Sequence, residues 1–458
     1  MKLTRSYSLL IFSLFLTMLV ACNKTDDDIT SEDASVSALT CASATFSTTA
    51  INGTAYNGTA TVPYTGGNAV AYSAGSAISS TGVTGLTATL QAGTLASGAG
   101  NLAFTIAGTP TSAGTASFAI TFGSISCTMT LTVSASSTST VDCSSATTTV
   151  AKVVCAVEAF KATLTATQLA TVQLDFTKAN AIKWSNLPGG VSIRNGLEFS
   201  ALTAAQLAAA KAVIAAASGT TANDGYDEFS QINAADDVLG TKAGSNYSSG
   251  EYIIAFLGTP SATGTWMLQF GGHHYAQNIT YNAGAVASAT PSHQGIEPKT
   301  WTSGSTTYAP MALEHDAMAA MLASLTTAQL ASAKLSTTFS DVSLGPNKDG
   351  QFPTTKLGVA VSTLSDAQKL LVLAAMKPWT NDVDDATGTA NLKLYENELA
   401  GTYISFSGNA TLTNNADYVR IDGPSVWIEF VCQSGVVYQD EIHYHAVYRD
   451  HTRDYNGL

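Results

Sequence analysis

The sequence predicts an α+β protein: an all-β N-terminal sandwich, then an internally duplicated domain of helix pairs and antiparallel strands. Three observations carry this. Residues 38–135 alternate apolar side chains with Thr, Ser and Ala, punctuated by Gly and Pro, as short half-buried strands do. From about residue 143 the texture turns helical. One helix-start signal then occurs four times, in two pairs of nearly equal spacing.

The N-terminus is an address. Lys2 and Arg5 precede an almost unbroken apolar run from Leu9 to Val20, too short to span a bilayer, so residues 1–21 read as a cleaved signal peptide. Leu19-Val20-Ala21-Cys22 resembles a bacterial lipobox. That resemblance makes Cys22 the lipidated first residue of the mature chain, tethered to a membrane without spanning it. Residues 22–37 form an acidic tether. Its start, Asn23-Lys24-Thr25-Asp26-Asp27-Asp28, resembles the surface-export signal of bacterial lipoproteins; the alternative is a plain solvated linker. The expected location is extracytoplasmic, on an outer membrane and facing outward. A net charge of −13 argues against nucleic acid as a partner.

Residues 38–135 contain the runs Thr84–Leu90, Asn101–Ile106, Ala116–Phe122 and Cys127–Val133. They resemble the immunoglobulin-like modules of bacterial surfaces. With no Trp and no His, this module reads as a spacer rather than a glycan- or protein-binding domain. Residues 136–142 are a Ser/Thr linker. With Cys22 set aside, Cys41 and Cys127 bracket the β module and Cys143 and Cys155 flank the next boundary. Both pairs are disulfide candidates in an oxidising compartment, although spacing does not fix connectivity. Cys432 is left over, an inert thiol in an apolar strand.

The helix signal is Leu, Ser/Thr, two residues, then Gln, beginning at Leu164, Leu202, Leu325 and Leu364. It is a capping box with a hydrophobic staple. Thr165 to Thr326 is a step of 161 positions and Thr203 to Ser365 a step of 162. Strands follow in each half: Tyr252–Phe256 pairs with Tyr403–Phe406, and Trp266–Tyr281 with Tyr418–Gln433, now about 152 apart. The expected lobes are 143–300 and 301–458, with a loop shortened in the second and a ligand cleft between them.

All seven histidines fall at or after residue 273. On a strand, Glu441, His443 and His445 share one face about 7 Å apart. Two imidazoles and a carboxylate there supply most of a shell for Zn, Cu, Mn or Fe. His273-His274 would contribute one side chain, since adjacent strand residues face opposite ways unless Gly271-Gly272 bulges. His293 lies 152 positions before His445 and is a further candidate ligand. Glu429 and Glu441 are candidate bases, with Glu297 and Asp450 nearby in sequence. His315 reads as a surface residue and His451 as solvated. Asp382–Gly388 reads as an acidic surface loop, because it lacks the glycine of a calcium loop. No nucleophile elbow, P-loop, dinucleotide fingerprint, Cys-x-x-Cys or His-Glu-x-x-His is present.

Residues from about 150 to 458 resemble the bacterial family of unknown function DUF3500. The resemblance rests on Phe270-Gly271-Gly272-His273-His274, Pro291–Gly295, Glu297-Pro298, Ile421-Asp422-Gly423-Pro424 and Trp427-Ile428-Glu429. It continues through His443-x-His445-x-Val447-Tyr448-Arg449-Asp450 and Asp454-Tyr455. It implies a shared domain and signature positions but no reaction. Arg449 either forms an internal ion pair with Asp450 or grips an anionic substrate. Two functions stay open: a metal-dependent hydrolase or oxidoreductase with an inter-lobe histidine site, and a non-enzymatic lipoprotein or adhesin that binds a small molecule or glycan.

Overall fold

Alternation in the first unit's sequence becomes burial of every second side chain. In Tyr56–Asn68 the residues Tyr56, Ala60, Val62 and Tyr64 are buried; in Gly114–Phe122 they are Ala116, Phe118, Ile120 and Phe122. The structure, a computed structural model, describes residues 32–134, 141–244 and 246–458. The signal segment, Cys22 and parts of the tether and linker lie outside them. The chain divides into two units, Met1–Ser136 and Ser137–Leu458.

The first unit has two main sheets. One orders Ala38–Leu39, Tyr56–Asn68, Ser97–Gly108, Leu86–Leu90 and Ile78–Ser79; the other orders Ala50–Ile51, Ile125–Ser134, Gly114–Phe122 and Thr81–Gly82. Both contribute to one core that includes Val62, Phe104, Phe118 and Met129. A disulfide joins Cys41 to Cys127, 86 positions apart. Chain-entropy reasoning gives such a loop about 4–5 kcal/mol.

The second unit is mixed α and β. Its helices are α1 (Thr149–Lys161), α2 (Ala166–Val172), α3 (Ala204–Ala217) and α4 (Gly225–Ala243), then α5 (Ala312–Ala323), α6 (Thr327–Ala333), α7 (Asp366–Asn381) and α8 (Asp385–Asn397). Strands β1 (Ile253–Leu257), β2 (Trp266–Gly271), β3 (Ala276–Asn282) and β4 (Ser292–Ile296) follow α4. Strands β5 (Tyr403–Ser407), β6 (Tyr418–Asp422), β7 (Val426–Ser434) and β8 (Ile442–Asp450) follow α8. Four longer helices and four main strands thus run in the same order twice; the short helix Lys178–Ala181 occurs only in the first half. The second disulfide, Cys143–Cys155, ties the middle of α1 to the segment before it. Cys432 is buried and donates to Leu412 O at 3.0 Å, and burial raises its thiol to about 12.

All four capping boxes form, at Thr165, Thr203, Thr326 and Ser365. Their glutamines also pair. Gln206 Nε2 donates to Gln168 Oε1 at 3.0 Å and to Thr163 O at 2.8 Å, just past α1. In the second half Gln368 Nε2 donates to Gln329 Oε1 at 2.8 Å and to Ser324 O at 2.8 Å, just past α5. One amide therefore caps its own helix, a neighbour's cap and the end of a third helix.

The strands form one sheet in the order β1-β2-β3-β4-β8-β7-β6-β5, extended by short strands at both edges. Two antiparallel meanders meet at β4 and β8, which pair from Ser292↔Tyr448 to Ile296↔Tyr444. The halves are therefore joined by a continuous sheet rather than parted by a cleft. Side chains alternate at this seam. Ile296, Tyr444, Ala446 and Tyr448 enter the large core shared with the helices. Val447 enters a smaller core with Trp184, Leu344, Trp427 and Tyr455, which long loops cover.

Replacing Gln206 or Gln368 with Ala removes three acceptor or donor roles at a nearly buried site. Each should lower stability by about 1–3 kcal/mol, and by similar amounts. Urea unfolding of the two variants measures both numbers.

Candidate metal centre

The loop face of the seam collects five histidines. Gly271 pairs with Ala276, so His273 and His274 are the central residues of the β2–β3 turn, not strand residues. Gly272 N donates to Tyr275 O at 2.8 Å and closes it. A Cβ on Gly272 would lie 2.4 Å from the Tyr252 ring, so only glycine lets the chain turn here. His274 has φ 65, a left-handed conformation that costs a non-glycine residue about 1–3 kcal/mol. Three bonds hold it. His274 N donates to Asn186 O at 2.9 Å, Tyr252 OH to His273 O at 2.7 Å, and His293 Nδ1 to His274 O at 3.2 Å. The buried Arg194 adds a bond to Gly272 O at 2.7 Å. Because the pair sits in a turn, both imidazoles lie together, with ring centroids 3.7 Å apart. Of the two, His274 is the one grouped with His443 and His445, while His273 is grouped with Asp236 and His274.

From the other half, β8 directs His443 and His445 to the same place. Centroid distances are 5.6 Å for His274–His443, 5.2 Å for His274–His445 and 4.9 Å for His443–His445. Gly295, paired with His445 across the seam, is the floor beneath them. A Cβ there would stand 2.9 Å from carbon atoms of both the His274 and His445 rings. His293, on β4, lies 5.2 Å from His445. It does not occupy the position equivalent to His445. Ala276↔His293 on β3–β4 matches Trp427↔Arg449 on β7–β8, so the register sets His293 against Arg449. The count of 152 fails because the connections before β4 and β8 differ in length.

Nitrogens of His274, His443 and His445 lie within 4.8 Å of one another, and so do ligand atoms of Asp236, His273 and His274. Among the described residues, His443 Nδ1, His445 Nε2 and His293 Nε2 are buried without a hydrogen-bond partner. Carboxylates back two of the rings: Asp341 Oδ1 lies 3.0 Å from His445 Nδ1, and Asp236 Oδ1 lies 2.8 Å from His273 Nδ1. Such a contact fixes the tautomer, points the other nitrogen outward and raises its basicity. Burial, then neighbouring imidazoles, hold His443 and His293 down at about 3 and His274 well below the usual imidazole range. Burial likewise pushes His273 down and Asp236 up, so that buried pair carries no net charge. Burial opposes ionisation of Asp341, but the His445 hydrogen bond, the neighbouring His445 and His293 charges and the Val342 amide together hold the carboxyl low. Neutral imidazoles with free, buried lone pairs are what a first-row transition metal requires.

Other expected site residues have different work. Glu429 accepts from Ser343 N and Oγ, Leu344 N, Tyr418 OH and Trp427 Nε1, all within 2.9 Å. Five donors occupy it, so it anchors the loop that carries Asp341 and is not placed as a base. Glu441 is exposed and precedes β8, outside the strand alternation expected of it. Arg449 is wholly buried and bonds Leu344 O, Gly345 O, Asp349 and Asp454. It does not pair with Asp450, which binds Arg453, and its buried guanidinium is occupied by those four acceptors. Glu297 receives the amides of Val437 and Tyr438 at 2.7 Å each and fixes the turn leading into β8. His315 is half-buried and stacks on Tyr444, while His451 stacks on Phe352 and contacts Asp422 at 3.2 Å. Asp382–Gly388 is no surface loop: it joins α7 to α8, with Asp382 buried and Asp384 capping α8.

Sequence reasoning missed Asp236 and Asp341. Asp236 was legible in principle, because it falls on the buried stripe Phe229, Ile232, Asp236, Leu239 of α4, where an acid needs a partner. Asp341 lies in an irregular loop whose path only the fold reveals.

A mixed α and β domain with a histidine cluster at its sheet seam defines a class that many unrelated activities share. The family model described as "Protein of unknown function (DUF3500)" matches residues 146–457, and the chain belongs to that family. No curated protein and no solved structure matches it.

Two substitutions separate ligand from scaffold. His274→Asn keeps a residue that tolerates the left-handed turn and should leave the circular dichroism unchanged while weakening transition-metal binding at least about 100-fold. Asp341→Asn should weaken it about 10–100-fold, as loss of a carboxylate behind an imidazole does. Competition titration against a chromophoric chelator reads both.

Proposed function

We propose that the second unit binds one first-row transition metal ion, Zn, Cu, Mn or Fe, through His274, His443 and His445, flanked by His273 and His293. We further propose that it uses the ion in a hydrolytic or oxidative reaction on a small molecule or glycan. One observation carries this reading. Imidazoles from both halves converge over the Gly295 floor with buried, unpartnered nitrogens and a carboxylate behind His445. Three protein ligands leave a position at which such an ion polarises a water or a substrate oxygen. Asp236, whose second oxygen is unpartnered beside His273, is our candidate for the proton-donating group.

Burial favours a second reading, a domain that holds metal without turnover. His273 and His445, the most open of the five, are only 8% and 7% exposed. A site that closed admits small reactants or none.

The setting is part of the proposal. The lipobox-like segment and Cys22 support an outer-membrane lipoprotein, and the two-sheet first unit supports an immunoglobulin-like stalk. Among the described residues no helix is long and apolar enough to cross a membrane. The twice-repeated element order, the matched glutamine pairs and the register at the seam support internal duplication. In that register Ser292 and Tyr448 are equivalent positions, and they pair with each other.

Metal analysis of the full chain after reconstitution tests the function. With Zn or Cu, one equivalent is expected, falling to none in His443→Ala/His445→Ala. Absence of stoichiometric metal after exposure to Zn, Cu, Mn and Fe would remove the reading's support. Metal without turnover of ester, phosphoester, glycoside or reducing substrates would select the non-enzymatic reading.

A further inference from the structure

Behind the histidines, on the helix face of the seam, stands a second cluster. Asp224 caps α4 and Glu228 lies in its first turn; Glu314 lies in the first turn of α5; Asp382 closes α7. All four are buried. Oxygens of Asp224, Glu228 and Glu314 lie within 4.8 Å of one another. Asp382 lies within hydrogen-bonding reach of Asp224 and Glu228 and also accepts from Gln294 Nε2 at 2.6 Å.

This cluster is short of positive charge and of hydrogen bonds. Among the described residues, both oxygens of Glu228 and one each of Glu314 and Asp382 have no partner. Two neutral groups, both wholly buried, point the same way. Gln294 places its amide against Asp382 yet leaves Oε1 unpartnered. The Tyr275 hydroxyl is unpartnered too, and after burial the charges of Asp382, Glu228 and Asp224 raise it most. Burial, then mutual repulsion, pushes Glu228 and Asp382 well above the usual carboxylate range. The N-termini of α4 and α5 offset part of that repulsion. They leave the unpartnered oxygens unfilled.

We propose that Asp224, Glu228, Glu314 and Asp382 hold one hard divalent cation, Ca²⁺, Mg²⁺ or Mn²⁺, with Gln294 Oε1 and Tyr275 as supporting oxygens. The donors are all oxygen, as such ions require, and oxygens of Asp224, Glu228 and Glu314 no more than 4.8 Å apart can share an ion at a Ca–O distance of about 2.4 Å. The ion joins α4 of the first half to α5 and α7 of the second. It also braces β4, whose Gln294 faces the cation while His293 and Gly295 face the imidazoles. The site is separate from the histidine centre in both ligand chemistry and sheet face.

The test uses the full chain carrying His274→Asn and His445→Ala, so that the histidine centre is silenced, stripped of metal and titrated with Mn²⁺ alone. Electron paramagnetic resonance should count one bound Mn²⁺, and Ca²⁺ should raise the Tm. Adding Glu228→Gln should weaken Mn²⁺ uptake at least about tenfold while leaving the metal-free Tm unchanged or higher, because a buried repulsive charge is gone. No Mn²⁺ uptake with no Ca²⁺ shift would show that the carboxyls share protons instead, and uptake untouched by Glu228→Gln would place the ion elsewhere. Either overturns the proposal without bearing on the histidine centre. Should the histidine variant not fold, the same Glu228→Gln comparison in the Zn²⁺-saturated chain decides it.

Discussion

Everything in the second unit depends on the antiparallel pairing of β4 with β8. Each half alone ends in an edge strand with unpaired amides and carbonyls, an exposed template for wrong association. Pairing β4 with β8 satisfies both edges at once and fuses two meanders into one sheet. It also sets the register that places Gly295 opposite His445. A shift of one residue would turn β8 over and send His443 and His445 into the helix-facing core. The convergence of imidazoles is thus a consequence of strand pairing, and the β2–β3 turn supplies His273 and His274 to a position the seam has already fixed.

The seam also explains the density of buried polar groups. Buried polar atoms are ordinarily paired, and an unpaired one costs about 1–3 kcal/mol. In the loops over the histidine face that rule holds closely: Glu429 has five donors and Arg449 has four acceptors. These saturated groups hold the 341–349 loop in place and so deliver Asp341 to His445. Unpartnered atoms among the described residues include nitrogens of His293, His443 and His445 and oxygens of the acidic cluster, alongside others such as Arg420 Nε and Thr280 Oγ1. His274, in the same region as the imidazoles, is left-handed.

How much of this was legible depended on how local the signal was. The capping boxes need only four consecutive residues, so Thr165, Thr203, Thr326 and Ser365 could be read directly, and the two-lobe order with them. The histidine cluster could be read as a composition anomaly. Its geometry could not, because Gly271-Gly272 admits either a bulged strand or a tight turn, and the Tyr252 ring decides between them from twenty residues away. Equivalence by counting failed for His293, since insertions before a strand shift the count without shifting the register. Asp382–Gly388 looked like a solvated loop because its charges are dense. The fold buries Asp382 where helix ends from both halves meet. Glu441 was assigned to the face of His443 by extending the strand one residue too far.

The central claim is that both halves of the chain ligate one metal ion. X-ray absorption at the metal edge of the reconstituted full chain tests it most directly. The account predicts three imidazole nitrogens at about 2.0–2.1 Å if the ion is zinc, with a lighter atom completing the shell. A shell of oxygens alone, or with a single imidazole, would contradict it and reduce the clustered histidines to packing within the sheet.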